Sequence, residues 1–178
     1  MKKVVIISLA MILGIVACQK NPIEKTAAVD LAGQWYLIYN CVDADGEIIP
    51  GFEDFNEGYS LGLTFSTAAN KADSIFVSDE AGNLLGFQVK VPCNVADLTF
   101  GSEDPAANIS PAKNPNIGAT AIIKNGKIIR GAATTPSGMP ADSIYFEVKF
   151  ADDAYAAYFG YDHYQAVGYR YTGFAADE

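Results

Sequence analysis

Two residues stand out for the chemistry they could do together. Ser60 lies in Gly58-Tyr59-Ser60-Leu61-Gly62, the Gly-x-Ser-x-Gly spacing of a nucleophile elbow, in which small flanking residues let the chain turn sharply and present the hydroxyl. His163 follows far downstream with Asp152 between them, so the order serine, aspartate, histidine of such hydrolases is available. The surroundings oppose that chemistry. A nucleophile elbow joins a strand to a helix, whereas loop-forming residues precede Ser60 and Leu61-Gly62-Leu63-Thr64-Phe65, a strand pattern, follows it. Ser60 therefore reads as the solvent side of a strand entry, and His163, in Tyr161-Asp162-His163-Tyr164, as a polar loop residue. No catalytic residue is assigned, and a hydrolase acting on an ester or lipid through Ser60 and His163 stands as the alternative reading.

The other reactive groups point away from catalysis. Asp43-Ala44-Asp45-Gly46-Glu47 begins like a calcium loop but lacks the glutamate required at its twelfth position, so it reads as a solvated turn. No metal and no other cofactor is expected. Cys41 and Cys93 have no CxxC partner, which leaves zinc and thioredoxin chemistry without support. Both end alternating segments that a barrel would set on opposite walls, so a disulfide is disfavoured and each reads as a small buried hydrophobe.

Cys18 is of a different kind. Lys2 and Lys3 precede an apolar run over residues 4–16, too short to span a bilayer comfortably and ending in small residues. Ile15-Val16-Ala17-Cys18 resembles the lipobox of bacterial lipoproteins, in which the cysteine thiol accepts diacylglycerol. The expected organisation is a signal peptide over residues 1–17, a lipidated tether over 18–29 and one domain over 30–178. That places the protein in the bacterial cell envelope as a membrane-anchored lipoprotein, at the outer membrane on its periplasmic or surface side, and as a monomer. Without Lys2 and Lys3 the 12 basic residues fall to ten against 21 acidic ones, a formal charge of −11. Nucleic acid and direct adsorption to an anionic membrane surface are disfavoured by that balance, so membrane contact must run through the Cys18 lipid.

The elements that position these groups are strands. Trp35, Leu37, Tyr39 and Cys41 occupy alternate places in one segment, as do Phe87, Val89, Val91 and Cys93 in another. Ile144, Phe146, Val148 and Phe150 alternate with Tyr145, Glu147 and Lys149, the pattern of a half-buried strand. Shorter strands are expected over 61–66, 75–78, 118–124, 127–132 and 165–174. Asn125-Gly126 between two apolar triplets predicts a hairpin, because a tight turn needs positive φ that these residues tolerate. Residues 79–83 predict a second hairpin loop, 102–116 a long loop, and 52–59 at most one turn of helix. About eight strands joined in order form an antiparallel meander, and closing it into a barrel removes its exposed edges. The fold class expected is therefore all-β.

Gly33-Gln34-Trp35 resembles the Gly-x-Trp signature of lipocalin-like (calycin) barrels. That resemblance implies that Trp35 plugs one end of the barrel and that a basic residue on the last strand, here Arg170, packs across its ring. A wider resemblance is carried by Leu31-Ala32-Gly33-Gln34-Trp35-Tyr36, Thr64-Phe65-Ser66-Thr67-Ala68, Asp142-Ser143-Ile144-Tyr145-Phe146 and residues 168–174. These strings are similar to the bacterial lipoprotein family labelled lipid-binding putative hydrolase, and they imply a calycin barrel with an apolar or amphipathic ligand, a lipid or fatty acid, bound without catalysis. Leu37, Tyr39, Phe87, Val89, Val91, Ile144, Phe146, Val148 and Phe150 are the candidate lining, with Tyr164 at an open mouth. Tyr155, Tyr158, Phe159, Tyr161, Tyr164, Tyr169, Tyr171 and Phe174 could instead face outward as a surface module for glycan or protein, the second alternative.

Overall fold

A computed structural model describes residues 25–79, 85–110 and 114–177, and across them the period-two alternation of apolar residues becomes strand. The expected signal peptide, Cys18 and most of the expected hairpin loop after Asp79 lie outside the described residues. Ala28, near the end of the segment expected as tether, is wholly buried in the core.

The strands are β1 (Gly33–Val42), β2 (Ser60–Ser66), β3 (Ser74–Ser78), β4 (Gln88–Asn94), β5 (Thr99–Phe100), β6 (Ala106–Ala107), β7 (Thr120–Thr134), β8 (Pro140–Phe150) and β9 (His163–Arg170). All pairings are antiparallel, in the order β1-β2-β3-β4-β5-β7-β8-β9 and back to β1. The result is a closed barrel of eight strands, with β6 added beside the first residues of β7. Residues that pair across two strands share a face, so Trp35, Leu37, Tyr39 and Cys41 point inward together with Arg170, Gly168, Ala166 and Tyr164. Gly168 is required there, because a Cβ would collide with the Tyr36 carbonyl.

Asn125-Gly126 does not make the expected hairpin. The chain runs straight on through both residues, and the two strands expected on either side are the single strand β7. A register shift against β8 between Lys124 and Lys127 marks a β-bulge, with Asn125 at φ 53°. The positive φ that suits a tight turn suits a bulge equally well. What decides between them is tertiary: Gly126 pairs with Phe100, and a Cβ on Gly126 would strike the Phe100 ring. The long loop expected over 102–116 contains β6, and β5, just before it, is too short to show a period.

One end of the barrel is closed by Trp35. Its indole N–H donates to Thr64 Oγ1 at 2.8 Å, whose own hydroxyl donates to the Leu31 carbonyl at 2.6 Å. The Arg170 guanidinium carbon lies 4.3 Å from the centre of the Trp35 ring, with Nη1 donating to the Ala32 carbonyl at 2.9 Å and Nε to Asp142 at 3.1 Å. The chain enters the barrel at this end, through a turn that buries Ala28 and Leu31. The only other ring-stacked lysine or arginine among the described residues is Lys127, 4.9 Å above Tyr145, so exposed Lys90 is the appropriate neutral comparison. Arg170→Ala should cost about 2 kcal/mol of unfolding free energy, from the lost ring contact and hydrogen bonds, and Lys90→Ala less than about 0.5 kcal/mol. Urea denaturation of both variants measures the difference, and equal losses would show the Trp35 contact to be inert.

Candidate functional site: the aromatic mouth of the barrel

At the opposite end, β2 leaves β1 after the pair Leu37 and Ser60, so the rest of β1 needs another neighbour. Residues 48–56 supply it. Phe55 N–H donates to the Tyr39 carbonyl at 2.7 Å, Cys41 N–H to the Phe52 carbonyl at 3.0 Å, and Tyr39 N–H to Asn56 Oδ1 at 2.9 Å. The segment is held in turns, with Asp54 and Glu57 both at φ 51°, and no helix forms where one turn was expected. Phe52 and Phe55 are thereby laid over the barrel mouth.

A short helix faces them. Helix α1 (Ala154–Phe159) begins at Asp153, whose carboxylate accepts from the N–H groups of Tyr155 and Ala156 at 2.9 and 3.0 Å, and ends at Gly160 in the left-handed conformation. No helix was expected here; the aspartate and glycine that bracket 154–159 were its only sequence signal. The Phe55 ring centre lies 6.1 Å from Tyr155, 6.4 Å from Phe159, 6.1 Å from Tyr161 and 5.7 Å from Tyr164. Phe52 adds an edge contact to Phe159 at 5.4 Å. Outside this cluster Tyr158 is 82% exposed and Phe159 44%.

Beneath the lid the barrel is full. The ten candidate lining residues all face inward, and none is more than 4% exposed. Exposure that low means that they cover one another, so in this state they form packed core, as a barrel of eight strands allows. Phe87 meets Phe150 at 5.6 Å, Phe150 meets Tyr164 at 6.1 Å, and Tyr39 meets Tyr164 at 6.3 Å. Tyr164 is not at an open mouth: it is buried under Phe55, with its hydroxyl bonded to that of Tyr161.

Three polar groups interrupt this core. The Tyr39 hydroxyl is buried without a hydrogen-bond partner, and so is the Ser60 hydroxyl. Ser60 is not on the solvent side as expected; pairing with Leu37 turns it into the barrel. Asp79, expected as an ordinary loop residue, is wholly buried at the end of β3 and accepts from the N–H groups of Leu85 and Phe87 at 2.8 and 2.9 Å. Burial pushes its carboxyl up to about 6 despite those donors. Burial, and after it the charge of Asp79, also raises the Tyr39 phenol well above its ordinary value.

His163 belongs to β9 rather than to a loop, and it faces the outside of the barrel. There its ring lies between Asp162 at 3.1 Å and Glu147 at 3.9 Å, in an outer groove of about 310 Å³ shared with Lys124 and Lys149. Asp162 also holds Lys149 at 2.5 Å, which with His163 lowers the carboxyl of Asp162. The barrel wall thus separates Ser60, inside, from His163, outside. Among the described residues no three histidine, cysteine or acidic side chains converge as metal ligands would. Cys41 and Cys93 are both free thiols.

A family profile described as lipid-binding putative hydrolase matches residues 20–175, nearly the whole length of the chain. The chain belongs to this family. No curated protein matches it. For this member of the lipid-binding putative hydrolase family, the geometry concentrates interest at the aromatic mouth, where loop-borne rings cover an apolar interior holding a few unsatisfied polar groups. Sequence reasoning reached the barrel wall but missed Phe52, Phe55 and Asp79, which lie in loops without periodicity.

Asp79 makes stability depend on pH in a definite direction. An unfolded aspartate releases its proton near 3.8 and the folded one near 6. Between those values the folded state binds more protons, so the stability this group contributes is full below 3.8 and declines as pH rises through about 6. The difference corresponds to about 3 kcal/mol. Asp79→Asn should remove that component, so its unfolding free energy relative to wild type should change by roughly that amount between about pH 4 and about pH 7. Chemical denaturation across that range tests the assignment, and parallel curves for variant and wild type would refute it.

Proposed function

We propose that the protein binds an apolar or amphipathic small molecule, a lipid or fatty acid, without hydrolysing it, and that the ligand enters at the aromatic mouth by displacing Phe55. The observation that carries this reading is the placement of Phe55: a half-buried ring on a loop, packed among four rings from other elements and seated directly over a filled interior. An apolar chain in the place of Phe55 would keep the same contacts with Tyr155, Phe159, Tyr161 and Tyr164, driven by about 25 cal/mol for each Å² of apolar surface removed from water. The family's description supports the ligand class. The separation of Ser60 from His163 supports the non-enzymatic part, since neither can assist the other across the wall.

The same reading makes the protein a monomeric envelope lipoprotein, held at the outer membrane through Cys18, with no affinity for nucleic acid. The described chain enters the barrel at the Trp35 end, opposite the aromatic mouth.

A fluorescent fatty acid or lysolipid should bind the purified, delipidated protein with micromolar or better affinity. Phe55→Ala, which opens apolar space at the mouth, should bind several-fold tighter, since apolar cavities take up apolar ligands. Correctly folded wild type and Phe55→Ala that both fail to bind any member of a lipid panel would overturn the reading. Separately, Cys18→Ser should release the protein from the membrane fraction, and variant protein retained in a salt-washed membrane pellet would contradict the anchor.

A further inference from the structure

We infer that the ligand's polar end is an ammonium group, seated beneath the aromatic lid against the Tyr39 hydroxyl and the Asp79 carboxylate. This rests on the reading of the mouth as the binding site and names the ligand class that site selects. The Tyr39 hydroxyl points into the barrel, is fully buried and has no partner, an arrangement that folded proteins avoid unless something else supplies the bond. Asp79, whose charge acts on the Tyr39 phenol, is wholly buried with only backbone N–H donors, and none of the ion pairs among the described residues includes it. Its donors are the backbone N–H groups of Phe87, Leu85 and Gly86 and its own, all neutral, so among the described residues no positive charge balances the carboxylate. The Ser60 hydroxyl is also buried and unpartnered, at the start of β2 on the face that pairs with Leu37.

Every one of these groups can accept a hydrogen bond, and an ammonium offers three donors with one positive charge. A buried carboxylate without a counter-charge is the costly half of an ion pair, and the fold already bears its desolvation; a cation arriving there bears only its own and gains the attraction. The approach favours the same sign. The two segments that frame the mouth, residues 43–59 and 151–161, carry eight acidic side chains, six in the first and two in the second, and no lysine, arginine or histidine. A carboxylate or phosphate head group would meet repulsion both at the rim and at Asp79, whereas an amine with a single alkyl chain would be attracted at both and could leave its chain among the rings that surround Phe55.

The test is competition at neutral pH between dodecylamine, dodecanol and dodecanoic acid for a bound fluorescent apolar probe on the purified protein. The amine should bind at least tenfold tighter than the acid, with the alcohol between them. Tyr39→Phe keeps the ring and removes only a hydroxyl that has no partner, so it should fold normally, bind the alcohol as wild type does, and lose several-fold in amine affinity. Asp79→Asn should bring amine and acid close to equal, and Tyr39→Phe stands in for it if the loss of the Leu85 and Phe87 contacts prevents folding. Acid binding as tightly as amine, or an unchanged amine affinity in Tyr39→Phe, would overturn the ammonium assignment while leaving chain binding intact. Failure of all three compounds to bind would instead bring down the mouth as a binding site, and the assignment with it.

Discussion

The barrel exists because two residues close it. Thr99 and Phe100 pair with Lys127 and Gly126, and this short ladder joins the half of the sheet that ends in β4 to the half that begins with β7. Without it both strands would present free edges, and there would be no enclosed interior to fill. The bulge at Asn125-Gly126 makes the junction possible: it leaves a position without a side chain where the Phe100 ring must lie, and that ring then reaches Phe146 at 6.0 Å in the core. Backbone hydrogen bonds extend the seam on either side of these two residues, from Gly101 N–H to the Pro92 carbonyl at 3.0 Å, Ser102 N–H to the Ile123 carbonyl at 2.7 Å and Ile128 N–H to the Leu98 carbonyl at 2.9 Å.

Closure gives the barrel two ends, and they are sealed by different physics. At the Trp35 end the seal is polar and specific. The indole, Thr64, the Leu31 carbonyl, Arg170, Asp142 and the Ala32 carbonyl satisfy one another in one connected set, and the incoming chain packs into it. At the other end the seal is made of rings on a loop and a short helix, in edge-to-face contacts that have no single geometry to defend. Loops of this kind open locally at lower free energy than core strands, so the two ends differ in how readily they open.

The filled interior bears on how ligand-binding barrels are read. Inward alternation specifies which residues face the inside, but the same ten side chains could surround a cavity or meet one another across it. Here they meet, and the unpartnered hydroxyls of Tyr39 and Ser60, with the buried carboxylate of Asp79 on its backbone donors, mark where the packing is not purely apolar. Polar groups left unpaired in a tight core are the exception in folded proteins.

Much of the barrel wall was legible in the sequence. The alternation in β1, β4 and β8 is strong because each strand has one dry face and one wet face, and the positions of Trp35 and Arg170 follow once the first and last strands are adjacent. What could not be read there depends on partners distant in the chain. Asn125-Gly126 has the dihedral preferences of a hairpin turn, and only the Phe100 ring opposite makes it a bulge within one strand. Ser60 begins a strand in either reading, but its pairing with Leu37 decides which side of the wall it faces. Phe55 and Asp79 lie in aperiodic segments whose local residues favour turns of many kinds, so their burial comes from β1, β4 and helix α1 closing around them. The sequence by itself determined the period, the strand faces and the sign of the charge, because these are properties of neighbouring residues. The tertiary structure decided the bulge, the lid and the buried carboxylate, because each is a contact between segments that meet only when the barrel closes.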